Sequence, residues 1–151
     1  MSTTEAPIRL YICHAFRADE DYVRVLEYLD GARRLAYRLV SDPMASHVGG
    51  RETDREVWRT QIQNAEIVVA PSTLADAESE AVDFQVRFAR SAGKPVLVMR
   101  RFGSVLPPPL PLSRQAAAVV DWNERTLADA LRRQARGDTG SRWDTIDFTL
   151  D

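Results

Sequence analysis

Two rhythms alternate along the chain. Short runs that are apolar on consecutive positions occur at residues 8–13 (IRLYIC), 35–40 (LAYRLV), 66–70 (EIVVA), 96–99 (VLVM) and 118–122 (AVVDW). Runs apolar on both faces are the mark of strands inside a parallel sheet. Between them the apolar positions fall at helical spacing. Tyr22, Val25, Leu26 and Leu29 make one face of a helix over about 19–30; Val57, Trp58, Gln61 and Ile62 make the seam of a second over about 52–64. Ala81, Val82, Gln85, Val86, Ala89 and Ala92 form the stripe of a third, and Leu127, Ala130 and Leu131 that of a last helix over about 124–136.

The boundaries carry their own signals. Gly93 stands where a helix wants a left-handed residue, and Pro95 forbids its return. Gly31 is a stop for the first helix; Asp19 and Asn123 are N-caps. Residues 105–112 read VLPPPLPL, with four prolines in five positions, which cannot join a ladder or a helix. The expectation is a stiff connection inside the domain rather than a proline-motif ligand for another module. Residues 41–50 (SDPMASHVGG) form a long strand-to-helix connection, and long connections at such places are often functional. Residues 137–151 read as a loosely held tail whose Trp143, Ile146 and Phe148 could dock on the domain.

Five strands alternating with helices predict an α/β fold, a flavodoxin-like, doubly wound five-stranded parallel sheet. Ligands of such sheets sit beyond the carboxyl ends of the strands. That edge carries His14-Ala15-Phe16, the 41–50 loop, Ser72-Thr73 and Arg100-Arg101-Phe102, and the helix bearing Gln85 starts over it. Gln85 is the one polar residue on an otherwise apolar stripe. It is either a core amide satisfied by backbone or the wall of a cleft. The second alternative predicts a concave site shared by Gln85, Phe16 and Ser72.

Composition narrows the function classes. The chain has 151 residues, enough for one domain with a proper core, and its 44% hydrophobic and 28% charged content is that of a soluble globular protein. A net charge of −2 gives no reason to expect nucleic acid or an anionic membrane. One cysteine, Cys13, excludes an intrachain disulfide and fits a reducing compartment. No apolar run approaches a membrane span, and MSTTEAPIRL lacks the regions of a signal peptide, so a cytoplasmic location is expected. GxGxxG, GxxxxGK[ST] and GxSxG are all absent. His14 and His47 lack metal-ligand spacing with Cys13, so no metal site is expected. Cys13 reads as a small core residue, and a Ser72/His14 hydrolase has no third member. Both histidines have the plainer reading of surface-loop residues.

Three segments, in order, resemble the TIR-like domain family, in particular the TIR-like subunits of bacterial Thoeris anti-phage systems. RLYICHAFRADEDYV is similar to the family's first strand and turn, IQNAEIVVAPST to its buried strand ending in Ser, and EAVDFQVRFARSAGKPVLVM to its Trp-Val-x-x-Glu helix, GKP turn and strand. The resemblance covers about residues 8–135 and implies a single TIR-like domain over 1–136. It implies cleavage of NAD as substrate, with no cofactor, and release of nicotinamide to leave an ADP-ribose-derived signal. The implied partners are NAD or an ADP-ribose derivative, a homo-oligomer and a downstream effector that senses the product. Counting back from Gly93-Lys94-Pro95 puts the family's catalytic glutamate at position 85, where this chain has Gln85, and its tryptophan at 81, where it has Ala81. Either the acid is lost here or a glutamate has been replaced by its isostere. Substrate-binding roles are implied for His14, Phe16, Asp42, His47, Arg51 and Ser72. A non-catalytic TIR-like assembly module is the second function class, and a nucleoside deoxyribosyltransferase-like enzyme a third.

Overall fold

A computed structural model describes residues 6–32 and 34–137. The expectations for the tail, with Trp143, Ile146 and Phe148, lie outside the described residues. The elements in chain order are β1 (Ile8–Ile12), α1 (Glu20–Asp30), β2 (Tyr37–Leu39), α2 (Arg51–Gln63), β3 (Ile67–Pro71) and α3 (Ser72–Ala77), then α4 (Ser79–Ser91), β4 (Val96–Met99), α5 (Leu110–Ser113), β5 (Ala118–Val120) and α6 (Glu124–Arg136). The five strands are all parallel in the order β2-β1-β3-β4-β5, the flavodoxin-like arrangement.

Strand alternation sorts the core into two layers. Tyr11, Cys13, Val68, Ala70, Val96 and Val98 face α2 and α4. Leu10, Ile12, Ile67, Val69, Leu97 and Met99 face α1 and α6. Each Val, Leu, Ile and Met among them stabilises the fold by about 1.5–3 kcal/mol on burial. Because both faces are covered, β3 and β4 are buried at every position, which is why they read as unbroken apolar runs.

Caps fix the helix ends. Asp19 accepts from the Tyr22 N–H and Asn123 from the Thr126 N–H, each satisfying an orphan donor of the first turn. At the end of α4, Gly93 has φ +76°, with Gly93 N–H donating to Arg90 O and Lys94 N–H to Ala89 O, the paired bonds of a Schellman motif. Ala92 therefore caps the helix and is exposed rather than part of the buried stripe. Two short helices escape the sequence pattern. Ser72–Ala77 continues straight from β3 as α3, and Leu110–Ser113 forms one turn after the prolines. Both are too short to show a helical period. Among the described residues no helix is long and apolar enough to cross a membrane.

Candidate functional site

Beyond the carboxyl end of β1, a cleft of about 1180 Å³ opens between α2, α4, the first turn and the end of the 41–50 loop. Its wall is a ladder of rings. His47 lies parallel on Phe16, centroids 3.9 Å apart and planes 8° apart. Phe16 stacks on Trp58 at 5.3 Å, Trp58 meets Phe84 at 5.9 Å, and Phe84 is parallel to Phe88 at 6.4 Å. Helical spacing makes the ladder possible: Phe84 and Phe88 are one turn apart on α4, on the flank of the stripe that buries Val82, Gln85 and Val86. Arginines edge it. The guanidinium groups of Arg55 and Arg59 lie 5.1 and 5.3 Å from the centre of the Phe84 ring, within cation–π range. Arg51 and Arg87 also line the cleft, with Asp54, Glu78, Glu80 and Asp83 as counter-charges. Arg87 is paired with Asp83 at 2.8 Å.

Beneath the ladder lies a closed polar network. Gln85 is fully buried, and each valence of its amide is used inside the protein. Its Oε1 accepts from the Tyr11 hydroxyl and from the His14 backbone N–H at 3.1 Å. Its Nε2 donates to the His14 carbonyl at 2.9 Å and to the Ala81 carbonyl at 3.0 Å. Gln85 thus bonds residue 14 through both backbone groups, as a neighbouring strand would. Gln61 does the same for the chain leaving β2: it accepts from Asp42 N–H at 3.0 Å and donates to Asp42 O at 3.1 Å. Its Oε1 also takes His14 Nε2 at 3.0 Å, which joins the two clamps.

The expected site residues separate accordingly. Phe16, His47 and Arg51 stand on the cleft wall. Gln85 and Ser72, expected beside Phe16, are instead wholly buried. Gln85 is withdrawn by its clamp on residue 14, and Ser72 because its hydroxyl donates to Met99 O at 2.7 Å, tying the exit of β3 to β4. His14 is buried, not a surface-loop residue, and burial holds its imidazole below the ordinary value while the Gln61 bond works against that. Asp42 is exposed, and its carboxylate accepts from Met44 N–H within its own loop. His47 pairs with Asp54 through Nδ1 at 3.0 Å. Cys13 is buried and burial pushes its thiol far up, leaving no thiolate nucleophile. Among the described residues no cluster of three or more His, Cys, Asp or Glu could hold a metal ion.

The sequence alone does not single out Trp58, Phe84, Phe88, Arg55 and Arg59 as wall residues of a cleft. The signal for them was the position of large aromatic and basic side chains just off the apolar stripes of two neighbouring helices. What the sequence did not show is that α2 and α4 pack side by side on one face of the sheet. Comparison with known proteins returns no matching family model and no matching curated protein.

Proposed function

We propose that this chain is a TIR-like domain whose cleft binds an NAD-type dinucleotide, or the ADP-ribose made from it, and that with glutamine at position 85 it holds the ligand without cleaving it. The observation that carries the reading is the ladder of Phe16, Trp58, Phe84 and Phe88 edged by arginines. The half-buried rings of Phe84 and Phe88 at the cleft end of the ladder offer flat surface to a base or nicotinamide, and guanidinium groups match phosphate oxygens with fixed, bidentate donors. The volume of about 1180 Å³ exceeds what a drug-sized ligand needs.

Cleavage asks for more than binding. Breaking the nicotinamide–ribose bond develops positive charge on the sugar, as at the oxocarbenium-like transition state of glycoside hydrolysis. A carboxylate facing the sugar would stabilise that charge, and only such an interaction speeds the step. The Gln85 amide is neutral, and its four hydrogen bonds are spent on Tyr11, His14 and Ala81. On the resemblance to Thoeris subunits, the ligand belongs to ADP-ribose-derived signalling in anti-phage defence, with a homo-oligomer and a downstream effector as partners. The assembly-module reading draws on the same saturated amide, since a purely structural glutamine needs no ligand.

The test is calorimetry with NAD and with ADP-ribose, beside chromatography of released nicotinamide. Binding without release is expected, with Phe84→Ala weakening affinity by about tenfold or more, through loss of one stacking surface and of the ring on which Arg55 and Arg59 rest. No binding of either compound up to about 1 mM, an affinity weaker than about −4 kcal/mol, sinks the ligand reading in favour of assembly. A rise in nicotinamide release of about 10²-fold in Gln85→Glu would identify an enzyme that has lost its acid.

A further inference from the structure

The chain has two histidines, and both act on Phe16. His47 covers its ring. His14 holds its backbone: the Phe16 N–H donates to His14 Nδ1 at 3.1 Å. Phe16 needs holding, because its φ is +65°, a left-handed conformation that is strained for a bulky residue. We infer that His14 is the positioning residue of the cleft, its neutral Nε2–H tautomer fixing Phe16 in the left-handed turn on which the aromatic ladder is built.

The tautomer follows from the donors around the ring. Gln61 donates through Nε2 to Asp42 O, so its Oε1 is the acceptor that meets His14. Oε1 also receives the Asp42 N–H, which confirms its polarity. His14 Nε2 must then carry a hydrogen, and Nδ1 must present its lone pair to Phe16 N–H. A side-chain acceptor taking the N–H two residues on is the geometry of an Asx-turn, with imidazole in place of a carboxamide. Protonating Nδ1 would set donor against donor and release the turn.

The groups facing His14 set the direction of its response. Tyr11 from β1 and Tyr22 from α1 lie with ring centroids 5.8 and 6.5 Å away. Asp42 and His47 from the 41–50 loop act through space in opposite senses. From α2 come Gln61 and, through His47, Asp54; from α4 comes the Gln85 amide. Burial outweighs Asp42 and Gln61, so His14 stays neutral below its ordinary value of 6.5, and the turn is released only under more acid conditions.

Part of the consequence rests on the proposed ligand, so the experiment separates the two. Long-range proton–nitrogen spectra of the wild-type imidazoles at about pH 8, above the ordinary histidine range, should show His14 protonated on Nε2 alone, with a titration midpoint below that of free histidine. Protonation on Nδ1 overturns the inference. His14→Asn places an acceptor where Nδ1 was, whereas His14→Gln places its terminal group near Nε2. The Phe16 amide should be protected from exchange in the wild type and His14→Asn, and exposed in His14→Gln; equal protection in both variants overturns the inference. ADP-ribose affinity should fall as His14 titrates in the wild type, be largely rescued in His14→Asn with that titration removed, and drop about tenfold in His14→Gln. If spectra and exchange behave as expected while ADP-ribose does not bind the wild type, the ligand reading fails and the positioning role stands.

Discussion

An amide and a carboxylate have the same shape, and position 85 distinguishes them by polarity. The Gln85 Nε2 faces two carbonyl oxygens, His14 and Ala81, and both need a donor. A carboxylate oxygen in that place would turn two hydrogen bonds into two repulsions in a buried site. The geometry therefore suits glutamine as such. Gln85→Glu should lower stability at pH 7 by at least about 2 kcal/mol, the scale of unsatisfied buried polar groups. Burial and the two carbonyls would raise the folded-state pKa of the new acid above its unfolded value. The loss should thus be small below about pH 4, and should grow as pH rises through the ordinary glutamate range of about 4.3. Denaturant titrations across that range check it; a loss independent of pH would show that the carboxylate has swung out of the clamp. A single polar residue on an apolar stripe marked position 85 as special in the sequence. Whether it faced cleft or core depended on partners 71 and 74 residues away, His14 and Tyr11, which no local pattern reveals.

Elements were more legible than side-chain roles where local chemistry decides them alone. The asparagine cap of α6, the buried run of β4 and the glycine stop of α4 each depend on a few adjacent residues. Gly93 shows how little else is involved. A Cβ built there meets nothing within 4 Å, so only its φ of +76° opposes a side chain. Gly93→Ala should cost about 1 kcal/mol, the price of the left-handed conformation, with no change in packing. Asparagine at the same place should cost less. Thermal unfolding of the pair measures this, and a cost of several kcal/mol would mean that Gly93 also serves a contact. α3 and α5 leave no mark in the sequence for the converse reason. At 6 and 4 residues they depend on the strand end and the proline turn that deliver them, not on a period of their own.

At the scale of the whole molecule, the candidate site and the arginine anchor of the chain lie at opposite ends of the sheet. The cleft and its glutamine clamps sit past the carboxyl end of β1, whereas at the amino end one arginine gathers the chain. Arg136, the last residue of α6, bonds both carboxylate oxygens of Glu66, just before β3, at 2.9 and 2.8 Å. It also donates to the carbonyls of Ala6 and Pro7, ahead of β1, at 2.7 and 3.1 Å. Glu66 in turn accepts the Arg9 N–H at 2.9 Å. This bidentate pair is only partly open to water, with the Glu66 side chain 18% exposed. The Arg136 hydrogen bonds, against a smaller opposing effect of burial, hold the Glu66 carboxyl down at about 2 from an ordinary 4.5. A carboxylate with a depressed pKa contributes stability that is complete above its ordinary value and is lost as pH falls towards the folded one. Glu66→Gln should therefore lower stability at pH 7 by about 1–3 kcal/mol, after discounting for the water that reaches the pair. The difference from the wild type should shrink as pH falls from 4.5 towards 2, where the wild-type carboxylate is itself neutralised. Neither the clamp on residue 14 nor the aromatic ladder touches this edge, so ligand affinity at pH 7 should stay as it was. Chemical denaturation of both proteins from pH 7 down to about pH 3, within the acid range where carboxylates titrate, provides the check. A difference that persists unchanged over that range would assign the loss to the geometry of the paired Arg136 hydrogen bonds rather than to the charge on Glu66.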